Sequence, residues 1–249
     1  MPEMMSRTQK HILLIDAVLW SEQYSPADPL RNPSAWFRPH VEFASGVQMT
    51  TQPASPDCDA IDLDRVSGVI ISGSPRDAWS EDPVNGALCG VVERCRSQRV
   101  PLLGVCYGHQ ILGRALGGVV ARHPAGWELG NVRIDLTPAG RASALFADLP
   151  SHFSALQSHA DAVLELPPGC ELLAKGNHTE VQSFSYDNRL LGVQFHPETT
   201  PDILRYLWHP RRDKWRGKIG FDLDARLESL QPEPTAAKVI ANFINHIVT

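Results

Sequence analysis

The sequence contains a cysteine flanked by two glycines, in a position typical of a catalytic nucleophile. Cys106 is the centre of Gly104-Val105-Cys106-Tyr107-Gly108, which follows an apolar run and precedes a segment with helical spacing. Such a turn exposes the central side chain at the tip of a sheet, and a helix N-terminus favours the thiolate over the thiol. We therefore predict that Cys106 is a nucleophile. The alternative is a small packed core residue, which is the usual fate of a free cysteine.

A thiol nucleophile requires a base, and the base requires an acceptor that orients its ring. His196 follows the apolar run Leu190 to Phe195 and precedes Pro197-Glu198. A strand-end histidine can reach the same sheet edge as Cys106 from far along the chain. The pattern predicts His196 as the base and Glu198 as its acceptor. A histidine before a proline is a weak signal alone, since His209-Pro210 repeats it.

Short apolar runs alternate with helical segments around the cysteine. His11–Asp16, Val66–Ser72 and Val100–Val105 have the continuous apolar character of strands buried on both faces. Apolar residues recur at helical spacing from Val84 to Gln98 and from Ile111 to Leu116. This alternation predicts an α/β fold: a three-layer, mostly parallel twisted sheet with helices on both faces, which binds ligands at the carboxyl ends of its strands.

The second half of the chain has a different pattern. Turn residues separate short apolar runs, which we interpret as strands and hairpins: Asn131–Leu136, Cys170–Lys175, Glu180–Tyr186 and Arg189–Phe195. The last helix is predicted over Thr235–Val248, where the apolar residues share one face.

Two segments lack a clear pattern. Ala17–Thr51 contains four prolines and is predicted to be loop-rich, with one short helix around Ala35. Pro210–Pro234 is irregular and is interpreted as an insertion, at 210–234, in a single domain that spans 1–249. Its basic stretch from Arg211 to Lys218 is most simply a solvated surface loop. A second hypothesis is that this stretch covers the active site or docks an acidic partner.

Composition excludes several classes of protein. The 249 residues are 43% hydrophobic and 20% charged, which is typical of a globular protein, and a net charge of −5 argues against nucleic-acid binding. Because the start, Met1–Lys10, lacks an apolar core and no stretch is apolar enough to cross a bilayer, we predict a cytoplasmic protein without membrane contact. Five cysteines without a C-x-x-C pair argue against a disulfide framework or a zinc site, and Cys89 and Cys95 are predicted to be packing residues.

Two motifs together resemble the signatures of a known family. Gly104-Val105-Cys106-Tyr107-Gly108-His109-Gln110 and Gly192-Val193-Gln194-Phe195-His196-Pro197-Glu198 are similar to those of the class I glutamine amidotransferases, of the stand-alone type that resembles the GMP synthase glutaminase domain. Ile71-Ser72-Gly73-Ser74-Pro75 resembles the family's oxyanion-hole loop. The resemblance covers most of the chain and implies a flavodoxin-like fold.

The resemblance also implies residue roles. Cys106 would be the nucleophile, His196 the base and Glu198 its orienting acceptor, while the backbone N–H groups of Gly73 and Tyr107 would stabilise the oxyanion. Two fixed N–H donors at a developing negative charge contribute several kcal/mol.

The glutamyl head group would be held by a further set of residues. The resemblance assigns its carboxylate and amine to Gln110, Gln157, Ser158 and His159. Ser158-His159-Ala160-Asp161 looks like the family's S-H-x-D stretch, with a polar turn between two strands as the alternative. Trp127-Glu128-Leu129-Gly130 resembles another family segment near the site.

The implied reaction is hydrolysis of the γ-amide of glutamine to glutamate and ammonia through a glutamyl thioester. It needs no metal or organic cofactor. No G-x-x-x-x-G-K-[ST] loop is present, so a synthetase that accepts the ammonia would be a separate subunit.

Two other functions stay open. Ser72–Trp79 and His196–Leu204 also look similar to stand-alone members that include γ-glutamyl peptidases, which act on γ-glutamyl peptides or conjugates. Alternatively, the chain is a non-catalytic interaction module with the same fold.

Overall fold

The computed structural model describes residues 9–18, 27–43 and 46–248. The described strands, in chain order, are β1 (Lys10–Asp16), β2 (Val47–Pro53), β3 (Gly68–Ile71), β4 (Leu102–Val105), β5 (Val119–Arg122), β6 (Glu128–Leu136), β7 (His152–His159), β8 (Asp161–Glu165), β9 (Glu171–Lys175), β10 (Ser183–Tyr186) and β11 (Leu190–Val193). The described α-helices are α1 (Pro33–Val41), α2 (Pro83–Gln98), α3 (Tyr107–Ala115), α4 (Pro138–Ala142), α5 (Pro201–Trp208), α6 (Arg212–Trp215), α7 (Leu223–Glu228) and α8 (Pro234–Asn242). Short 3-10 helices cover Pro29–Arg31, Cys58–Ala60, Ala144–Phe146 and His209–Arg211, and a π-helical turn at Phe243–Ile247 continues α8.

Nine strands form one mixed sheet in the order β2-β1-β3-β4-β11-β10-β9-β6-β7. Neighbours from β2 to β11 run parallel, and those from β11 to β7 run antiparallel. Strands β5 and β8 pair separately as an antiparallel ribbon. The predicted parallel strands and the helix between the second and third of them are confirmed, with bounds that differ by a few residues.

Helices cover both faces of the sheet, as predicted. Because side chains alternate along a strand, Ile12 and Leu14 of β1 enter a core shared with α1 and α8. Leu13 and Ile15 enter the opposite core, shared with α2 and α3. Burial on both faces explains the continuous apolar runs of the parallel strands.

The sequence did not predict four of the strands, β2, β5, β7 and β8. For β2 and β5 the physical reason is simple. In β2, at the sheet edge, only Met49 is fully buried, so no apolar run marks it. Strand β5 has no fully buried residue. A short or edge strand needs less apolar surface than a central one, which leaves little signal in the sequence.

The two patternless segments contain helices. The short helix predicted around Ala35 is α1, whereas 19–26 and 44–45 of that segment lie outside the described residues. The stretch 210–234, predicted to be irregular, contains α6 and α7. Leu223 and Leu227 of α7 are buried in a third core with residues of β6, β7 and α5. This apolar face gives the stretch 210–234 its regular structure.

The basic stretch is not simply a solvated loop. Arg212 and Arg216 both pair with Asp224 of α7, at 2.7 Å from Arg212 Nε to Oδ1 and 2.9 Å from Arg216 Nη2 to Oδ2. Arg211 lines a pocket that also contains Cys106. Within the described ranges, no helix is both long and apolar enough to span a membrane; the start of the chain, 1–8, lies outside them.

Candidate active site

The chain turns sharply at Cys106, between β4 and α3. Cys106 has φ 51° and ψ −101°, in the positive-φ half of the backbone map that non-glycine residues rarely adopt. A Cβ on Gly104 would overlap the carbonyl oxygen of Gly108, and a Cβ on Gly108 would overlap that of Ile71. The two glycines are therefore steric requirements of the turn. Strained residues of this kind cluster at functional sites.

The thiol of Cys106 lies at the N-terminal end of α3 and at the wall of a pocket. Cys106 is 5% exposed and unpaired with any other cysteine. The pocket has a volume of about 750 Å³, part of it open to solvent. A sulfur in this position is accessible to a small molecule and close to the positive end of a helix dipole.

The other cysteines have a different environment. Burial raises the pKa of Cys95 to about 12 and that of Cys170 to about 11, and it also raises the pKa of Cys58 and Cys89. None of the four lines the pocket of Cys106. As predicted, both cysteines of α2 are packing residues: Cys95 is buried in the core, and Cys89 packs against the same core.

Strand register brings His196 to the cysteine. β11 runs parallel to β4, with Gly192 opposite Gly104 and Val193 opposite Val105. The residues that follow the two strands therefore emerge at the same edge of the sheet. The amide of Cys106 donates to the carbonyl oxygen of Val193 at 2.9 Å, and His196 and Cys106 both line the pocket.

Glu198 orients the imidazole of His196. The distance from His196 Nδ1 to Glu198 Oε1 is 2.8 Å, and both side chains are nearly buried. Burial alone would lower the pKa of His196, but the charges of Glu198 and Cys106 and hydrogen bonding to both raise it well above its usual value. Nε2 makes no well-aligned hydrogen bond to a described residue. Catalytic hydrogen bonds are often long or poorly aligned until substrate binds.

Two backbone amides lie near the sulfur in positions suited to an oxyanion. A Cβ on Gly73 would lie 3.0 Å from His196 Cε1 and 3.7 Å from Cys106 Cβ, so the Gly73 backbone is adjacent to both. Tyr107 is the first residue of α3, where N–H groups have no intrahelical acceptor. Neither amide donates to a backbone acceptor in the described ranges. Both are available to stabilise negative charge.

Three of the four predicted head-group residues line the pocket: Gln110, Ser158 and His159. Gln110 Nε2 donates to the carbonyl oxygen of Asp161 at 2.7 Å, which ties α3 to β8. The hydroxyl of Ser158 accepts from Trp208 Nε1 at 2.9 Å. The S-H-x-D stretch is thus the end of β7 and the start of β8, with Asp161 also at the pocket wall.

Gln157 does not line the pocket. The pocket lining includes Ser158 and His159, the next two residues of β7, but not Gln157. Gln157 is fully buried and its Nε2 donates to Gln182 Oε1 at 2.6 Å. Gln182 Nε2 in turn donates to Glu128 Oε2 at 3.0 Å. Gln157 belongs to a buried polar network behind the pocket.

His159 is held by two acceptors. Its Nε2 is 2.9 Å from Glu128 Oε2, and its Nδ1 is 2.9 Å from the carbonyl oxygen of Asp161. Burial alone would raise the pKa of Glu128, but hydrogen bonding and the charge of His159 lower it. Glu128 is therefore an ionised acceptor for the ring of His159. Glu128 lies in the Trp127–Gly130 segment that the sequence placed near the site.

Sequence reasoning missed several pocket residues. Asp161 Oδ1 pairs with Arg122 at 3.2 Å, and its Oδ2 accepts from Trp79 Nε1 at 3.1 Å. Burial raises the pKa of Asp161 despite the opposing effect of Arg122. Asp161 had a signal in the S-H-x-D stretch, whereas Arg122 had none. The pocket is also lined by residues from segments without a motif, Val18, Trp36, Leu207 and Arg211, and by Leu204 at the end of the His196–Leu204 segment.

Comparison with known proteins gives one family and one fold. The family described as "Glutamine amidotransferase class-I" matches residues 41–205. A glutamine amidotransferase from Thermotoga maritima superposes with a TM-score of 0.72 at 20% identity, covering 96% of this chain and 98% of that one. A glutamine amidotransferase from Methylobacillus flagellatus gives 0.70 at 19% identity, covering 95% and 92%. At these identities the solved structures show the fold, which is the flavodoxin-like α/β fold predicted from the sequence.

Curated relatives carry two kinds of name. Gamma-glutamyl peptidase 5 of Arabidopsis thaliana is 38% identical over 148 residues, which cover 59% of this chain and 59% of that protein. The glutamine-hydrolyzing GMP synthase subunit of Methanocaldococcus jannaschii is 32% identical over 156 residues, covering 61% of this chain and 76% of that one. The chain thus matches less than two thirds of the length of the peptidase.

Proposed function

Because this chain belongs to the class I glutamine amidotransferase family, we propose that it hydrolyses the γ-amide of glutamine, or of another γ-glutamyl compound, through a thioester on Cys106. The observation that carries the proposal is the parallel pairing of β4 with β11, at whose ends Cys106 and the His196–Glu198 pair meet. No other cysteine in the described ranges lines that pocket.

Each step has a candidate residue. His196 takes the proton of the Cys106 thiol, and the sulfur forms a bond to the amide carbon while the C=O electron pair moves to oxygen. The N–H groups of Gly73 and Tyr107 stabilise that oxyanion, each contributing about 3 kcal/mol. The intermediate collapses, the C–N bond breaks, and His196 returns the proton to the leaving nitrogen. Water then cleaves the thioester to give glutamate and the free thiol.

Binding of the glutamyl head group is proposed at the polar wall. Gln110, Ser158 and His159 line it together with Asp161. An α-ammonium and an α-carboxylate need several fixed polar partners of this kind, since one good hydrogen bond to a charged group contributes only about 1.5–3 kcal/mol.

Replacement of the nucleophile tests the proposal. Cys106→Ser should lower amine or ammonia release by at least about a thousandfold, because the serine hydroxyl ionises far less readily than the thiol. It should also abolish stoichiometric labelling by a glutamine-like electrophile, measured by mass spectrometry. Cys89→Ser, in a cysteine of α2 away from the pocket, is the matched control and should retain both.

Persistent labelling of the Cys106→Ser variant would contradict the assignment of the nucleophile. A wild-type protein that is neither labelled nor able to hydrolyse any γ-glutamyl compound would instead favour the non-catalytic interaction module.

A γ-glutamyl peptidase is the second candidate. It is favoured by four Arabidopsis relatives of that name, at 34–38% identity. The ratio of kcat/KM for a γ-glutamyl peptide to that for glutamine separates the two candidates, since a peptidase should prefer the peptide.

We further propose that 1–249 form one class I amidotransferase domain with an insertion at 210–234.

If glutamine is the substrate, we propose that ammonia passes to a separate synthetase subunit. Support comes from the relative whose name describes a GMP synthase subunit. Recovery of bound proteins from the native host, followed by an ammonia-channelling assay with the protein recovered, tests this proposal.

A further inference from the structure

A buried asparagine of α2 contacts both segments that carry the proposed oxyanion donors. Asn85 lies in the first turn of α2 and is fully buried. Its Oδ1 accepts a hydrogen bond from the hydroxyl of Tyr107. Its Nδ2 donates to the carbonyl oxygens of Asp77 and Ser80, at 2.9 Å each. One amide side chain therefore joins the first residue of α3 to the β3–α2 loop, 72–82.

The chemistry of its partners fixes the orientation of the Asn85 side chain. A carbonyl oxygen can only accept, so the atom that faces Asp77 and Ser80 must be the amide nitrogen. Burial raises the pKa of Tyr107, so its hydroxyl keeps the proton that it donates to Oδ1. Both ends of the Asn85 amide thus have partners, and a fully satisfied buried network of this kind is rigid.

The β3–α2 loop carries Gly73 near its start and is attached to α3 at both ends. Next to Gly73, the carbonyl oxygen of Ser72 accepts from the amide of Gly108 at 3.2 Å. Toward α2, Arg114 of α3 donates to the carbonyl oxygen of Ser80 at 2.6 Å, which is one of the two carbonyl oxygens that the asparagine also contacts. The position of the loop relative to α3 is therefore set by side chains as well as by the backbone.

The contact with Tyr107 is important because Tyr107 follows the strained residue of the turn. Cys106 has φ 51°, and a backbone of this kind persists only where its surroundings hold it in place. The ring of Tyr107 is fully buried and its hydroxyl is bound to Asn85. Loss of that bond would allow the first turn of α3 to relax and move the Tyr107 amide away from the oxyanion. A shift of about 1 Å at a reacting group can lower a rate about 100-fold.

We propose that Asn85 is a positioning residue for the oxyanion hole, which acts by joining Tyr107 to the β3–α2 loop and not by contact with the substrate. Asn85 does not line the pocket of Cys106. This inference rests on the proposed hydrolysis at Cys106 and adds a residue outside the pocket on which the transition state depends. Its effect should appear only in reactions that place negative charge on a carbonyl oxygen.

Two reactions of Cys106 separate this role from a purely structural one. Hydrolysis of glutamine or γ-glutamyl-p-nitroanilide passes through an oxyanion, whereas alkylation by iodoacetamide displaces iodide from a saturated carbon and forms none. Asn85→Leu and Tyr107→Phe should each lower kcat for hydrolysis by about 10- to 100-fold, with KM changed by less than about threefold. The rate of Cys106 alkylation, measured by mass spectrometry as a function of pH, should stay within about twofold of wild type, because it depends on the thiolate alone.

Asn242→Leu is the matched control. Asn242 of α8 is also buried, and its Nδ2 also bridges two carbonyl oxygens, those of Leu145 and Ala147. It does not line the pocket of Cys106. Its replacement should lower the thermal stability about as much as Asn85→Leu does, whereas kcat should remain near wild type.

A double variant shows whether Asn85 and Tyr107 act as one unit. In Asn85→Leu/Tyr107→Phe, kcat should fall no further than in the more impaired single variant, because each change breaks the same contact. Losses that multiply in the double variant would mean that the two side chains act independently, which would contradict the joined role.

The outcomes distinguish this inference from the proposed function. If the wild-type protein hydrolyses neither amide and a glutamine-like electrophile leaves Cys106 unlabelled, the proposed function is wrong and the inference falls with it. If the wild type is active and Tyr107→Phe keeps kcat within about threefold, the positioning role is wrong and the proposed function stands. Equal losses of hydrolysis and alkylation would show general damage to the site and also contradict the positioning role. Tyr107→Phe keeps the ring, so it decides the question even if Asn85→Leu fails to fold.

Discussion

Two buried histidine–glutamate pairs lie at the same pocket and differ in what the second ring nitrogen contacts. His196 Nδ1 is 2.8 Å from Glu198, and His159 Nε2 is 2.9 Å from Glu128. The other nitrogen of His159 lies 2.9 Å from the carbonyl oxygen of Asp161, whereas Nε2 of His196 has no well-aligned hydrogen bond to a described residue. His196 therefore has a ring nitrogen available for the proposed proton exchange with Cys106, whereas both ring nitrogens of His159 face protein oxygens. The two sites are distinguished by the group that faces the second ring nitrogen, and not by the histidine–carboxylate pair itself.

The two pairs also differ in where they are attached. Glu198 follows His196 closely in sequence, so a short segment after β11 forms the first pair. Glu128 and His159 lie opposite each other on β6 and β7, so strand pairing forms the second. We therefore expect loss of the first pair to affect the reaction most, and loss of the second to affect stability and substrate binding most.

The largest effect should follow loss of the proton acceptor. His196→Ala should lower kcat by about 10³- to 10⁴-fold, or about 4–5 kcal/mol, because its ring is the proposed proton acceptor for Cys106. Steady-state release of the amine measures it. His209→Ala, in the exposed His-Pro pair outside the pocket, should remain near wild type. A similar loss of kcat in His159→Ala would show that the two pairs do not differ in their effect on the reaction.

Glu128→Gln should cost about 2 kcal/mol of unfolding free energy at neutral pH, because it removes the ionised acceptor of buried hydrogen bonds from His159 and Gln182. The folded-state pKa of Glu128 lies below the ordinary value of 4.5. Its stabilising contribution is thus fully present above about pH 4.5 and is lost as pH falls through the lower, folded-state pKa. Urea unfolding of both proteins from pH 7 to pH 3 measures this, and the difference between them should shrink on acidification.

A stability difference between wild type and Glu128→Gln that stays constant over that pH range would contradict the role of the ionised Glu128 carboxylate. The corresponding kinetic change should be mainly in KM, since His159 lies at the polar wall and takes no part in proton transfer.

The smallest effect is expected at Gln157, behind the second pair. Gln157→Leu should change kcat/KM by less than about tenfold, because the side chain does not line the pocket. It should lower the unfolding free energy by about 1–2 kcal/mol, since Gln182 Oε1 loses its donor in a buried site. Kinetics and urea unfolding of the same preparation measure both. A large rise in KM would instead support a direct contact between Gln157 and the substrate, as the family resemblance implies.

Much of the parallel half of the fold could be predicted from the sequence because burial on both faces leaves continuous apolar runs, as in β1, β3 and β4. The antiparallel half was only partly predicted, since β7 carries polar residues that pair with the interior network. The edge strand β2 buries too little to leave a pattern. The helices α6 and α7 were missed because their apolar residues pack on a distant surface rather than following a long helical period.

The sequence by itself determined the local chemistry: a cysteine that needs glycine on both sides, and a histidine with a glutamate two residues beyond it. The requirement at Gly104 acts over a few residues, since a Cβ there would overlap the backbone of Gly108, whereas the requirement at Gly108 comes from the backbone of Ile71 on the neighbouring strand β3. Only the tertiary structure decided that Gln157 points away from the pocket and that Trp36, Leu207 and Arg211 enclose it. Pocket walls are made by packing between distant segments, and the free energy of that packing depends on shape and area, which leave no motif in the chain.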